Sequence, residues 1–348
     1  MASSVDNSAW LKWMTSLLGG VSRQTYAATL PPDRFCCLLD ELPLHLIPQT
    51  VLRALHFQED LQRPLYLNPY CVLCPAGDVP PELADRSELL SGFAMEGSTA
   101  WVRDSASESP LPFWLGPQFE AVVRDLRPNE PVSSTVPYTT RRLLAMAGIL
   151  VSEGRSGQGG SEREEMVRKA APIFRRKGYA PLAGLIHPFH VAALRRYYRY
   201  MIRSGAIPLG DRQSARRYVA YNDAVARFFH HQITATLSAV AGEALKPSYV
   251  YLASYLSGAE LKKHTDREQC EFSVTLCLDF SPEPALETPW PIRLETPTST
   301  VAVFQSIGDG LAYRGTRLPH YRSPLGEGQT STSIFFHYVA ADFAGSLD

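Results

Sequence analysis

Hydrophobic positions fall into regular periods only in the second half of the chain. Val191, Leu194, Tyr198 and Met201 recur at helical spacing, which places them on one stripe of a helix opening at Pro188. Val225, Phe228, Phe229, Ile233, Leu237 and Val240 trace a second helix in the same way. From residue 248 onward the period changes to two. Tyr249, Tyr251 and Tyr255 lie on one face of an extended segment, because alternate side chains of a strand point to the same side. Residues 272–278, Phe-Ser-Val-Thr-Leu-Cys-Leu, read as a strand buried on both faces. Shorter strands are predicted at 179–186, 300–305, 311–314, 321–322 and 331–338, with Gly308-Asp309-Gly310 as a turn. Many short strands separated by turns predict a sandwich, barrel or jelly roll flanked by helices, an α+β chain that is mainly β.

The first 153 residues are less regular. Helical signals at 10–18 and 51–61 flank a Pro-rich course, and the Pro, Gly and Ser punctuation over 66–137 assigns no fold. Gly154-Arg-Ser-Gly-Gln-Gly-Gly-Ser161 reads as a flexible loop, dividing an extension (1–153) from a β-rich domain (162–348). The extension holds Trp10, Trp13, Phe35, Leu38, Leu39, Trp101, Phe113 and Trp114 but no second set of reactive residues. Such side chains need a surface to bury against, so the extension is expected to pack on the β-rich domain and help cover its mouth.

At 348 residues and 45% hydrophobic content the chain can build a large core. Lys plus Arg (34) balances Asp plus Glu (35), so no single-sign field draws it to nucleic acid or an anionic membrane. No apolar run has membrane-helix length and no secretory leader is evident, which predicts a soluble, cytoplasmic protein with a small-molecule substrate. The oligomeric state is open. Six cysteines in a chain of this length form no disulfide framework, and Cys71-Val-Leu-Cys74 lacks a second ligand pair to complete a zinc site.

The densest chemistry is His264-Thr265-Asp266, with His320 following in Arg317-Leu-Pro-His-Tyr-Arg322. Ligand-type side chains at i and i+2 of an extended segment share a side, and a later His can close a three-sided cap on one metal. Two His and one carboxylate leave open positions on one side of the ion, the arrangement of non-haem Fe(II) oxygenases. His337 is the other downstream candidate for the third ligand. His187 with His190, and adjacent His230 and His231, lack the spacing of a helical ligand pair and read as structural.

The segment 179–339 resembles the Fe(II)/2-oxoglutarate-dependent oxygenases of the prolyl-hydroxylase and phytanoyl-CoA-hydroxylase type. The likeness is carried by Tyr255-Leu-Ser-Gly258 ahead of His264, by Ser273-Val-Thr-Leu-Cys-Leu278 after it, and by Gly308-Asp-Gly-Leu-Ala-Tyr313. The resemblance implies a double-stranded β-helix, iron held by His264, Asp266 and His320, and 2-oxoglutarate and O2 at the remaining positions. The chain departs from the family at Thr330, where a basic residue ordinarily holds the far carboxylate of the cosubstrate. Arg322 is the expected substitute, since it sits two residues after His320 and a guanidinium binds carboxylate bidentately. Arg314 and Arg317 compete, with Tyr255, Ser331 and Ser333 adding hydroxyl contacts. Tyr249, Tyr251, Phe335 and Phe336 are the expected wall residues. Two other readings stand beside a small-molecule oxygenase: a hydroxylase of peptide or protein residues, and a cupin-like binding protein without activity.

Overall fold

A computed structural model describes residues 31–41, 63–103, 110–152 and 158–347. The helical signals at 10–18 and 51–61, and Trp10 and Trp13, lie outside the described residues.

The long strands form as the period-two pattern requires. β1 (Leu65–Leu67) pairs with β5 (Leu150–Ser152), and β2 (Cys71–Cys74), β3 (Thr99–Arg103) and β4 (Pro110–Trp114) form a small antiparallel sheet. Downstream come β6 (Tyr179–Leu182), β7 (Arg217–Tyr221), β8 (Leu245–Tyr255), β9 (Leu261–His264) and β10 (Phe272–Ser281). These are followed by β11 (Ile292–Glu295), β12 (Thr300–Val303), β13 (Gly310–Tyr313), β14 (His320–Arg322) and β15 (Thr330–Ala340). They build two antiparallel sheets, six-stranded in the order β6-β13-β10-β15-β8-β7 and four-stranded in the order β12-β11-β14-β9. The chain is therefore α+β with antiparallel sheets.

The six-stranded sheet has one face to helices and one face to the smaller sheet, which is why β10 and β15 are buried along nearly their whole length. Even-numbered positions of β10 and β15 face the helices: Phe272 stacks on Phe174 at 6.3 Å, Phe336 meets His230 at 5.7 Å, and the Tyr338 hydroxyl donates to the His230 carbonyl. Odd-numbered positions face the gap between the sheets as far as Cys277; the register shift between Cys277 and Asp279 reverses the phase of β10, so Asp279 turns to Arg195 and Arg199 of the helix layer. At one side this gap is closed by an apolar cluster of Tyr179, Ile292, Leu294, Leu311, Tyr313 and Leu318. Polar side chains gather at the other.

The helix Pro188–Arg203 shows how local signals set an element. Pro188 begins it, and the His187 ring at the N-cap accepts from the Phe189 amide, so one orphan donor of the first turn is satisfied. Left-handed Gly205 follows its end. Its buried face carries Phe189, Val191, Leu194 and Tyr198. The helix expected over 225–240 is instead two, Ala224–Gln232 and Thr234–Ala241, meeting at Ile233 with ψ near 0°. Periodicity is continuous across the break because Ile233 is buried on the same side.

The loop expected at 154–161 is shorter than its composition suggests. Residues 154–157 lie outside the described part, but Gln158 already belongs to the helix Gln158–Lys177. The Glu- and Arg-rich run behind it is a strong helix former, and propagation through two glycines costs only about 1 kcal/mol each. The strand expected over 179–186 ends at Leu182.

The irregular N-terminal part contributes, where it is described, to the same core as the sheets. Phe35 touches Phe93, Trp114, His190, Tyr197 and Phe229, with ring centroids 5.0–6.4 Å apart, and Arg196 donates to the Cys36 carbonyl at 2.6 Å. One buried cluster runs from Phe35 to Tyr338. Replacing Phe35 with Ala should cost about 3–5 kcal/mol and lower the whole unfolding transition, measured by denaturant titration. An early partial transition that leaves the sheets intact would show that these residues fold apart from them.

Candidate metal centre

Three ligand-type side chains converge where β9 and β14 pair. His264 and His320 are directly opposite in that register, and their rings lie 4.4 Å apart. Asp266 follows two residues after His264, its amide bound to the Gly315 carbonyl at 2.9 Å. Its Oδ1 is 3.5 Å from Nε2 of both His264 and His320, and one atom from each residue falls within 4.8 Å of the others.

Backbone carbonyls fix the imidazoles. His264 Nδ1 lies 2.8 Å from the Lys262 carbonyl and His320 Nδ1 lies 2.9 Å from that of Leu318. A carbonyl only accepts, so each Nδ1 donates, and each Nε2 is aimed at Asp266 Oδ1. This is the orientation a metal-binding imidazole takes when its other nitrogen is anchored. Burial would push the Asp266 carboxyl up, but hydrogen bonds from His264 and His320 outweigh it and hold the carboxyl well below the usual carboxylate range. The same bond to Asp266 raises the pKa of His264. The side chain of His264 is 39% exposed against 2% for His320 and 11% for Asp266, so the cluster opens on the His264 side.

Behind Asp266 the packing is close. Its Oδ2 accepts from the Ser273 hydroxyl at 2.9 Å. A Cβ on Gly315 would lie 2.2 Å from that oxygen and 2.5 Å from the Cys270 carbonyl, so only glycine fits there. His337 Nδ1 is 2.9 Å from Ser273 Oγ, and burial pushes the imidazole pKa down to about 4. His337 does not join the His264 and His320 pair. It forms a second convergence with Asp266 and Cys270 on the far side of the carboxylate.

Arg322 is a buried cation of the interior. It projects from β14 two residues beyond His320, is 5% exposed, and lies over the Trp290 ring at 4.7 Å. It donates to the Trp290 carbonyl and, at 3.4 Å, to Gln305 Oε1. Among the described residues no carboxylate pairs with it, and burial lowers its pKa. Ser331 and Ser333 are buried on the inner face of β15, opposite Tyr255 and Ala253 of β8. Tyr255 packs on Trp290 at 5.1 Å.

The rival arginines stand elsewhere. Arg314 pairs with Glu243 and Glu271 and lies over Phe174 and Phe272, on the helix side of the sheet, because it is one residue out of phase with inward Tyr313. Arg317 is exposed. Sequence reasoning passed over Arg217, which is 2% exposed on β7 and donates to the Tyr255 hydroxyl at 3.3 Å. It is already paired with Asp211 and Gln213. Trp290 and Gln305, the neighbours of Arg322, come from segments without a local motif.

Of the expected wall residues, Tyr249, Tyr251 and Phe335 face the gap: Tyr251 stacks on Phe335 at 4.6 Å and lies 6.4 Å from Tyr249. Phe336 does not, since alternation turns it onto His230 in the helix layer. His190 and His230 are structural in their contacts, His190 to the Pro112 carbonyl and His230 to that of His337. All six cysteines are free thiols. Among the described residues no helix is long and apolar enough to cross a membrane.

No protein-family model and no characterised relative matches the chain in sequence. Solved structures resemble part of it. The non-haem α-ketoglutarate-dependent epimerase SnoN of nogalamycin biosynthesis is 15% identical, with a TM-score of 0.43 over 51% of this chain and 84% of its own. A Pseudomonas putida prolyl-4-hydroxylase is 17% identical, with a TM-score of 0.42 over 50% of this chain and 99% of its own. HygX from Streptomyces hygroscopicus, solved with nickel, 2-oxoglutarate and hygromycin B, is 13% identical, with a TM-score of 0.41 over 51% and 88%.

The electrostatics of the cluster set a pH dependence. A metal must displace the proton that His264 shares with Asp266, and that proton is held above the ordinary histidine pKa of about 6.5. Metal affinity should therefore fall as pH drops through neutrality, beginning above pH ~6.5 and approaching about tenfold per pH unit for one competing proton. Anaerobic metal titrations across this range check it; an affinity flat with pH contradicts it.

Proposed function

We propose that this chain is a non-haem Fe(II)/2-oxoglutarate-dependent oxygenase, built on a double-stranded β-helix, that oxidises an unactivated C–H bond of a small molecule. The carrying observation is the convergence of two oriented imidazole nitrogens and one carboxylate oxygen in the gap that holds a buried guanidinium without a carboxylate partner among the described residues. In this reading residues 162–348 form the oxygenase domain and residues 1–153 an extension packed on it.

The residues present fit the group. His264, Asp266 and His320 offer two imidazole nitrogens and one carboxylate oxygen, a donor set suited to iron with positions left open. Iron bound there with 2-oxoglutarate would use O2 to oxidise the substrate C–H bond, releasing succinate and CO2. Arg322 would hold the far carboxylate of the cosubstrate, since an uncompensated buried arginine is costly until an anion pairs with it. Ser331, Ser333 and Tyr255 supply hydroxyls on the facing strands. Tyr249, Tyr251 and Phe335 offer rings that orient a substrate and exclude water. The exposed flank of His264 is the side from which a substrate enters. Thr330 in place of a basic residue is the feature that favours an inactive binding protein, and in this reading Arg322 supplies the missing charge from β14 of the other sheet.

The test is succinate release from 2-oxoglutarate by the iron-loaded protein, screened against metabolites, amino acids and peptides. Asp266→Ala should abolish turnover with the fold retained. Arg322→Leu should weaken 2-oxoglutarate binding by about ten- to a hundredfold, the loss of one charge-assisted partner. Arg314→Leu should leave it unchanged. Full turnover in Asp266→Ala, or unaltered cosubstrate binding in Arg322→Leu, would contradict the reading. Turnover with peptides alone would move the substrate class to protein residues.

A further inference from the structure

We propose that Ser273 and His337 are positioning residues that hold Asp266 to a single metal-facing oxygen. The inference rests on the reading of His264, Asp266 and His320 as metal ligands.

Counting hydrogens gives the direction of each bond. The Ser273 hydroxyl has one proton and lies 2.9 Å from Asp266 Oδ2, 2.9 Å from His337 Nδ1 and 3.3 Å from the Cys270 carbonyl. An ionised carboxylate only accepts, and a charge-assisted bond is the stronger one, so the proton goes to Oδ2. His337 Nδ1 must then donate to Ser273 Oγ. This fixes the tautomer of His337 and leaves Nε2 without a proton. That nitrogen is buried with no partner among the described residues, as expected of a ring whose working atom is Nδ1.

The fold holds this relay rigidly. Ser273 and His337 are directly opposite in the β10–β15 register. The His337 ring lies 4.7 Å from Tyr249 and 5.7 Å from Tyr251, while its carbonyl accepts from His230 Nε2 at 2.8 Å. The helix layer thus braces His337, His337 braces Ser273, and Ser273 occupies Oδ2. The backbone around Gly315 and Cys270 closes the remaining space on that side. Oδ1 alone is left to face Nε2 of His264 and His320. A carboxylate without this restraint can turn and offer both oxygens, taking a coordination position that the cosubstrate or O2 requires.

The alternative role for His337 is as a ligand in its own right, with Asp266 and Cys270. Asparagine separates the two, because its amide nitrogen reproduces a donor near Nδ1 and nothing at Nε2. The experiment titrates the full chain with Co(II), reading both the dissociation constant and the visible spectrum, whose intensity falls as coordination number rises. Thermal melting of each metal-free variant checks that it is folded.

The expected result is that Ser273→Ala and His337→Leu weaken Co(II) binding by about 10–100-fold, the usual cost of losing an outer partner of a ligand, with a weaker visible band. His337→Asn should stay close to the starting protein in both. Unchanged affinity and spectrum in Ser273→Ala and His337→Leu would overturn the inference and leave the metal centre standing. Loss in His337→Asn equal to that in His337→Leu would overturn the donor role and make His337 a ligand. Failure of the unaltered protein to bind Co(II) would overturn the metal reading itself.

Discussion

The site depends on one cross-strand pairing, the register that sets His264 of β9 opposite His320 of β14. Both strands are short, four and three residues, and little apolar burial holds β9, whose residues are largely exposed. What fixes the pair is the alternation of the neighbouring strands. Leu294 of β11 opposes His320 and is fully buried in the apolar cluster that closes the gap. A slip of one residue would expose Leu294 and turn His320 outward together, because the side-chain period is two. The hydrophobic anchor and the inward-facing imidazole are therefore locked to the same register.

The same alternation explains how an ionisable interior is tolerated. Three inward polar groups on the larger sheet have partners on adjacent strands: Ser273 with His337, Thr275 with Tyr313, Tyr255 with Arg217. Arg322 stands apart. It has carbonyl and amide acceptors but no carboxylate among the described residues, which leaves its charge uncompensated in a place that water reaches poorly. This uncompensated charge, two residues along β14 from His320, is the observation on which the proposed role of Arg322 toward a cosubstrate carboxylate rests.

Much of this is legible in the sequence wherever the information is local. The spacing of His264 and Asp266, the shared face of Tyr249, Tyr251 and Tyr255, the burial of 272–278 and the Gly308–Gly310 turn all follow from periods of two and from turn chemistry. The same rule excludes Phe336 from the inner face once Phe335 is placed there, and Arg314 once Tyr313 is. What is not legible is non-local. β9 has no apolar alternation to mark it as a strand, since its residues are largely exposed. β11 is too short to show a period. Ser273 and His337 become partners only through the β10–β15 register, and Trp290 and Gln305 reach Arg322 from loops that no motif marks. The break at Ile233 has no proline or glycine to announce it, and the helix at Gln158 is set by the residues behind the glycines rather than by the glycines.

The most direct test of the account is a crystal structure of the Fe(II) and 2-oxoglutarate complex, grown without oxygen, with the metal located by its anomalous signal. The expected result is one iron bonded to Nε2 of His264, Nε2 of His320 and Oδ1 of Asp266, with the far carboxylate of 2-oxoglutarate on Arg322. Iron among Asp266, Cys270 and His337, or a cosubstrate carboxylate held by Arg217 with Arg322 untouched, would contradict it.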